Sequence, residues 1–205
     1  MKYLWLLILF LIPLKVYGTS SYIVMDADSK RVIEGANTQE KKLIASTTKI
    51  MTALIALENG VLDEKVKIDK DVLKAYGSNI YIEIDEEITL RDLLYGLLLR
   101  SGNDAAIEIA NVIAGNMDKF VQMMNDKAKE IGMTSTTFIN SSGLENDEKL
   151  GNTSTAYDMA LLMSYAINNK DFVEISGTKR HIVTTNYKTY DWYNKNKLLT
   201  SYKYT

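Results

Sequence analysis

The stretch IASTTKIMTALIALENG, residues 44–60, decides how the rest of the chain is read. A run of hydroxyl residues, Ser46-Thr47-Thr48, precedes a broad apolar face built from Ile50, Met51, Leu54, Ile55 and Leu57. Gly60 then stops the pattern. This predicts a helix over 46–59, capped by Ser46 or Thr47. Ser46 and Lys49 stand three residues apart at its start, so the hydroxyl and the amine fall on one face and can meet. A neutral lysine there can take the serine proton, and the helix N-terminus favours the negative charge that develops. The amine would have to fall from about 10.4 towards 7–8, against a cost of about 4 kcal/mol.

The S-x-x-K pattern alone carries little weight, since it arises about once by chance in a chain of this size. A second copy, Ser176-Gly177-Thr178-Lys179, has no apolar helix behind it and reads as a loop coincidence. Ser101-Gly102-Asn103 adds weight. It is the only S-x-N triplet of the chain and falls between apolar helices expected at 89–99 and 103–114. A turn there can present a hydroxyl to relay a proton and an amide to hold a substrate amide.

Composition narrows the chemistry. With no cysteine among 205 residues, disulfides, thiolate metal sites and a cysteine nucleophile are excluded. His181 is the single histidine, so a Ser-His-Asp triad would have to use it. No spacing suggests that, and a structural or surface role is expected. Asp26 and Asp28 begin like a calcium loop, but Lys30 and the missing glycine break the pattern, so no metal is assigned. The net charge is −2 without basic clusters, which argues against nucleic-acid binding.

Outside the two motifs, residues 21–35 read as a β-hairpin turning at Asp26–Lys30. Helices are expected at 117–131 and 155–168, and 180–193 reads as extended. The aromatics Tyr187, Tyr190, Trp192 and Tyr193 are read as packing that segment on the helices. At the N-terminus, Lys2 precedes the apolar run YLWLLILFLIPL, residues 3–14, and Val16-Tyr17-Gly18 then gives a small residue at the end and a modest one two before it. The run is shorter than the ~20 residues of a spanning helix. Residues 1–18 therefore read as a secretory signal peptide and residues 19–205 as an exported domain.

S-x-x-K followed by S-x-N resembles two of the three signature elements of penicillin-binding proteins and serine β-lactamases. The wider context resembles the D-alanyl-D-alanine carboxypeptidases, the low-molecular-mass penicillin-binding proteins. The similarity is carried by IASTTKIMTALIALE, LLLRSGNDAAIEIA (97–110), KAKEIGMTSTTFINSSGL (127–144), STAYDMALL (154–162) and TTNYKTYDWYNKNKLL (184–199). The resemblance implies an α+β fold of DD-peptidase/β-lactamase type, with a helical subdomain and an antiparallel sheet. It implies that Ser46 attacks the penultimate D-Ala carbonyl of a peptidoglycan stem peptide, with Lys49 as general base. Ser101 would pass a proton to the departing D-Ala, and Asn103 would orient the substrate amide and Lys49. β-Lactams would be inhibitors, no cofactor is implied, and the place of action would be the outer face of a bacterial cytoplasmic membrane. Membrane attachment would come only through the signal peptide or a C-terminal anchor.

The third family element, Lys-Thr/Ser-Gly, does not occur; Lys188-Thr189-Tyr190 is the nearest triplet. In the family it follows the segment that NKLLTSYKYT (196–205) resembles. The reading is therefore of a catalytic domain incomplete at its C-terminus, with only the N-terminal hairpin of the sheet. That hairpin would be left without a partner, and acylation would be very slow. Two alternatives stay open. One is a serine β-lactamase of the same fold, with Glu145 or Glu148 as the deacylating group; the other is a non-catalytic peptidoglycan-binding remnant.

Overall fold

A computed structural model describes residues 20–146 and 148–202. The signal-peptide reading of residues 1–18 lies outside the described residues. In chain order the elements are β1 (Tyr22–Met25), β2 (Val32–Ala36), β3 (Lys42–Leu43), a 3₁₀ turn (Ala45–Thr48), α1 (Lys49–Asn59), β4 (Lys65–Lys67), a second 3₁₀ turn (Lys70–Lys74) and β5 (Glu87–Thr89). They continue with α2 (Leu90–Arg100), α3 (Asn103–Ala114), α4 (Met117–Glu130), β6 (Thr153–Ser154), α5 (Ala156–Ala166), α6 (Lys170–Gly177), β7 (Arg180–Thr184), β8 (Thr189–Tyr193) and α7 (Leu198–Ser201).

The core is built round α1, which is apolar on most sides: Met51, Ala53, Leu54, Ile55 and Ala56 are all buried. Leu93, Leu94, Leu97 and Leu99 of α2 and Ile109 of α3 pack with it. Burial of such side chains contributes about 1.5–3 kcal/mol each. Ala105, Ala106 and Ala110 keep the packed face of α3 small. In α4, Phe120, Met124 and Ala128 recur every four residues and form its single buried stripe. Side chains cap four helices: Thr89 accepts from Asp92 N, Asn116 from Lys119 N, Thr155 from Asp158 N and Asn169 from Phe172 N. Each such cap contributes about 1 kcal/mol.

Four two-stranded antiparallel ladders surround the helices: β1–β2, β3–β6, β4–β5 and β7–β8. The β1–β2 hairpin turns where expected, with Asp26 Oδ1 accepting from the Ser29 amide and hydroxyl. That carboxylate is thus spent on closing the turn. The hairpin does not stand alone as expected: α5 packs against β1. Between them lies a groove of about 570 Å³, lined by Ile23, Met25, Ile50, Met159, Met163 and Ile167.

Several elements differ from the sequence reading. The helix expected from residue 46 begins as a 3₁₀ turn and becomes α-helical only at Lys49. Ser176 lies in α6 and not in a loop, with its hydroxyl turned back to Val173 O. The extended segment 180–193 is a hairpin, Arg180 pairing with Tyr193 and Thr184 with Thr189. Its inward residues Tyr190 and Trp192 are buried, while Tyr187 and Tyr193 are exposed. No described helix is long and apolar enough to cross a membrane.

Candidate active site

Ser46 sits in the 3₁₀ turn between β3 and α1. Side chains three apart in a 3₁₀ turn eclipse, which brings Ser46 over Lys49. Ala45, just before the serine, has φ +44°, a left-handed conformation costly for a residue with a Cβ. Ser46 is exposed and Lys49 is only 2% exposed. Lys49 Nζ lies 3.2 Å from Ser46 Oγ, 2.7 Å from Asn103 Oδ1 and 2.8 Å from the Ser142 carbonyl.

These three partners differ in kind. The Asn103 and Ser142 oxygens can only accept, whereas the Ser46 hydroxyl can donate or accept. An uncharged amine has two hydrogens and one lone pair. The two acceptors take the hydrogens, so the lone pair is left facing the Ser46 proton. A base aimed at the hydroxyl follows from the two acceptors.

The Ser142 carbonyl is delivered by residues 137–144, which strap the start of α1. Thr52 Oγ1 donates to Ser141 O at 2.6 Å, and Asn152 Nδ2 donates to Thr48 Oγ1 at 2.9 Å. Asn140 Oδ1 accepts from the Gly143 amide at 2.7 Å and closes the turn. Gly143 has φ +85°, and a Cβ there would lie 1.8 Å from Ala45 O. Only glycine lets this loop lie against the serine turn.

Asn103 opens α3, immediately after the turn that ends α2. Its Nδ2 donates to Tyr76 O at 2.6 Å and its backbone N–H donates to Ser78 O at 2.7 Å. Asp104, next along, is buried and accepts from the backbone amides of Ile80, Tyr81 and Ile82. Residues 76–82 are thereby clamped on the S-x-N turn. Ser101 also takes a left-handed conformation, φ +62° and ψ +40°, at the C-terminus of α2. It is half-buried, and its hydroxyl makes no hydrogen bond to Ser46, Lys49 or Asn103 among the described residues. The fold thus brings Ser46, Lys49 and Asn103 into one hydrogen-bonded group and leaves Ser101 beside it.

Burial pushes Lys49 down from 10.5 to about 8; the nearby Lys195 ammonium adds to this and Asp104 opposes it. This reaches the upper edge of the range the serine–lysine chemistry needs. The tertiary partners Ser142, Tyr76, Ser78 and Lys195 were not singled out from sequence. Three of them act through a main-chain carbonyl, which leaves no mark in the residue type.

The other candidates fall elsewhere. His181 Nε2 is 2.7 Å from Asp92 Oδ1, and its ring stacks on Tyr95 at 3.7 Å between centroids. It joins the β7–β8 hairpin to α2, and its ring makes no hydrogen bond to a serine among the described residues. Glu145 is exposed beyond Gly143, and its side chain makes no hydrogen bond to the Ser46–Lys49 pair among the described residues; Glu148 is exposed as well. Among the described residues no group of three or more His, Asp or Glu could hold a metal ion.

Comparison with known proteins bears on this constellation. Residues 15–205 match the family model described as D-alanyl-D-alanine carboxypeptidase. The chain is 34% identical over 192 residues to the D-alanyl-D-alanine carboxypeptidase DacF of Bacillus subtilis, covering 91% of this chain and 49% of that one. It is 35% identical to DacC of Escherichia coli over 69% of this chain and 38% of that one. The chain thus spans about half the length, or less, of these curated relatives. Among solved structures, a D-alanyl-D-alanine carboxypeptidase from Mycobacterium tuberculosis superposes with a TM-score of 0.84 at 33% identity, covering 89% of this chain and 69% of that one. Penicillin binding protein 6B of Escherichia coli gives 0.80 at 28% identity, covering 94% and 63%.

Proposed function

This chain belongs to the D-alanyl-D-alanine carboxypeptidase family, and from that premise we propose that it is built to remove the terminal D-Ala from peptidoglycan stem peptides. Ser46 Oγ gives its proton to Lys49 and bonds to the carbonyl carbon of the penultimate D-Ala. The C–N bond to the last D-Ala then breaks. The proton held by Lys49 reaches the leaving nitrogen through Ser101, which stands beside the group at the head of the S-x-N turn. Asn103 keeps Lys49 aimed and orients the substrate amide. Water attacks the acyl-enzyme, the shortened peptide leaves as its acid, and Ser46 regains its proton. Peptidoglycan lies outside the cytoplasmic membrane, so residues 1–18 serve as the export signal in this reading. β-Lactams, which present a strained amide to the same serine, act as inhibitors.

The observation that carries the reading is the buried Lys49 amine, 3.2 Å from Ser46 Oγ and lowered to about 8. A base of that strength is partly uncharged at neutral pH, and proton transfer to such a group contributes typically about 10²–10⁴-fold. The experiment is covalent labelling with a tagged β-lactam, followed by peptide mapping. Label on the peptide holding Ser46, lost in Ser46→Ala and nearly lost in Lys49→Ala, is expected. Label on a peptide without Ser46 overturns the assignment.

A further inference from the structure

Tyr76 makes two bonds, one towards each of the acceptors that hold Lys49. Its carbonyl accepts from Asn103 Nδ2 at 2.6 Å, and the Asn103 oxygen lies 2.7 Å from Lys49 Nζ. Its phenol reaches the other way and donates to the Glu145 carbonyl. Glu145 follows Ser142 along the strap, and the Ser142 carbonyl is the second acceptor, 2.8 Å from Lys49 Nζ. The links close into a ring that runs from Lys49 through Asn103, Tyr76, Glu145 and Ser142 back to Lys49. Gly77, with φ +80°, turns the chain directly after Tyr76, where a Cβ would stand 3.3 Å from Asn103 Nδ2.

The end of the strap is poorly packed. Asn140 Nδ2 donates to Leu144 O at 2.7 Å, and the Asn146 amide donates to Leu150 O at 2.8 Å. Both turns beside Glu145 thus close within residues 140–150. A cavity of about 210 Å³ lies against the strap here, lined by Tyr76, Ile107, Met117, Ser142 and Leu144. Unfilled space offers no atoms for the strap to pack on. Tyr76 itself is 58% exposed. Its ring gains little from burial, so what the residue contributes is the phenol's bond across to Glu145.

We propose that Tyr76 is a positioning residue of this site, a tether that ties the strap to the S-x-N turn so that the Asn103 and Ser142 oxygens are held on Lys49 together. The proposal rests on the reading of Lys49 as the base for Ser46. With the strap released, Lys49 loses one of the two acceptors that take its hydrogens, and its lone pair is no longer confined to Ser46 Oγ. The amine, 2% exposed in the closed site, is opened to water at the same time.

The test compares the wild type with Tyr76→Phe, which removes the phenol oxygen alone, in two rates read on the intact chain. One is hydrogen exchange of the Gly143 and Leu144 amides, which reports release of the strap. The other is reductive methylation of Lys49 by formaldehyde and cyanoborohydride, mapped by mass spectrometry, which reports access to the amine. Neither needs turnover, so failure here is distinct from failure of the carboxypeptidase reading, which would appear in the labelling experiment. Both rates are expected to rise together by about 3–10-fold, the effect of one lost hydrogen bond. Glu145→Ala keeps the carbonyl and should leave both rates in place. Gly143 exchange that does not rise overturns the tether. A rise at Gly143 without one at Lys49 overturns the positioning role, since Tyr76 would then hold only a loop. So does Gly143 exchange no faster than that of the Leu54 amide in α1, which would mean that only global unfolding frees the strap. Equal rises in Glu145→Ala would trace the effect to the charge of the loop and overturn the proposal too.

Discussion

Replacing Lys49 with methionine isolates what burial does to the amine. Methionine fills similar space and cannot titrate. The variant loses the hydrogen bonds to Asn103 and Ser142, a loss that shifts its stability by a nearly constant amount at every pH. The informative quantity is how the difference between wild type and variant changes with pH. In the folded chain Lys49 releases its proton near 8; unfolded, it does so near 10.5. Between those values the unfolded state holds a proton that the folded state has given up. Stability of the wild type must therefore rise with pH in this window, by about 1.4 kcal/mol per pH unit. The accumulated gain is about 3 kcal/mol. Below pH 8 both states hold the proton and the difference is flat. Other titrating groups are common to both proteins and cancel. Urea denaturation at pH 7, 8, 9 and 10 provides the curve. A difference that stays level, or falls, would mean that Lys49 binds its proton as tightly as a solvated lysine. At pH 7 such an amine would be uncharged about 300-fold less often, and the serine–lysine chemistry would lose its base.

Gly143→Ala should cost about 3 kcal/mol or more and slow Ser46 acylation, because its Cβ would lie 1.8 Å from Ala45 O; an unchanged melting temperature would show that the strap is not seated as described. His181→Gln should lower stability by about 1–2 kcal/mol through loss of the Tyr95 stack and leave β-lactam labelling at Ser46 untouched. A labelling loss as deep as that of Lys49→Ala would instead place the histidine in the chemistry. Glu108, buried and accepting from the Asp69 amide, is raised by burial from 4.5 to about 7. The folded state keeps a proton there that the unfolded state releases above 4.5, so stability is lost as pH rises through 7. Glu108→Gln should therefore gain on the wild type by about 3 kcal/mol between pH 4 and pH 8 in urea titrations, and equal slopes would refute it.

The long helices were legible because each carries its own evidence: an apolar stripe of the right period and, for α2, α4 and α5, a capping side chain. The 3₁₀ turn at 45–48 was not. Its geometry comes from Ala45 being forced left-handed and from Ile44 N donating to Asn152 O, a contact made 108 residues along the chain. The β4–β5 ladder escaped notice because three residues a side give too short an alternation to read. Strand β5 also runs directly into α2. The helix α6 was missed although Asn169 offered a cap, because its eight residues complete little more than two turns. In the site, Ser46 and Lys49 could be paired from spacing and Asn103 from its triplet. What aims them could not. The carbonyls of Ser142 and Tyr76 arrive through tertiary folding, and a carbonyl belongs to every residue alike.

The two-sided hold on Asn103 limits what position 103 can be. Its oxygen must receive a hydrogen from Lys49 while its nitrogen gives one to Tyr76 O. An aspartate offers acceptors on both sides, setting one oxygen against a carbonyl and holding Lys49 as an ammonium. A leucine fills the volume and strands both partners, and a glutamine overshoots by a methylene. The requirement is for a short side chain that is neutral and has opposite hydrogen-bonding ends, and asparagine alone meets it. In a library of all twenty residues at position 103, a working enzyme should be recovered almost exclusively with asparagine, a narrower tolerance than the exposed Val112 on the same helix would show.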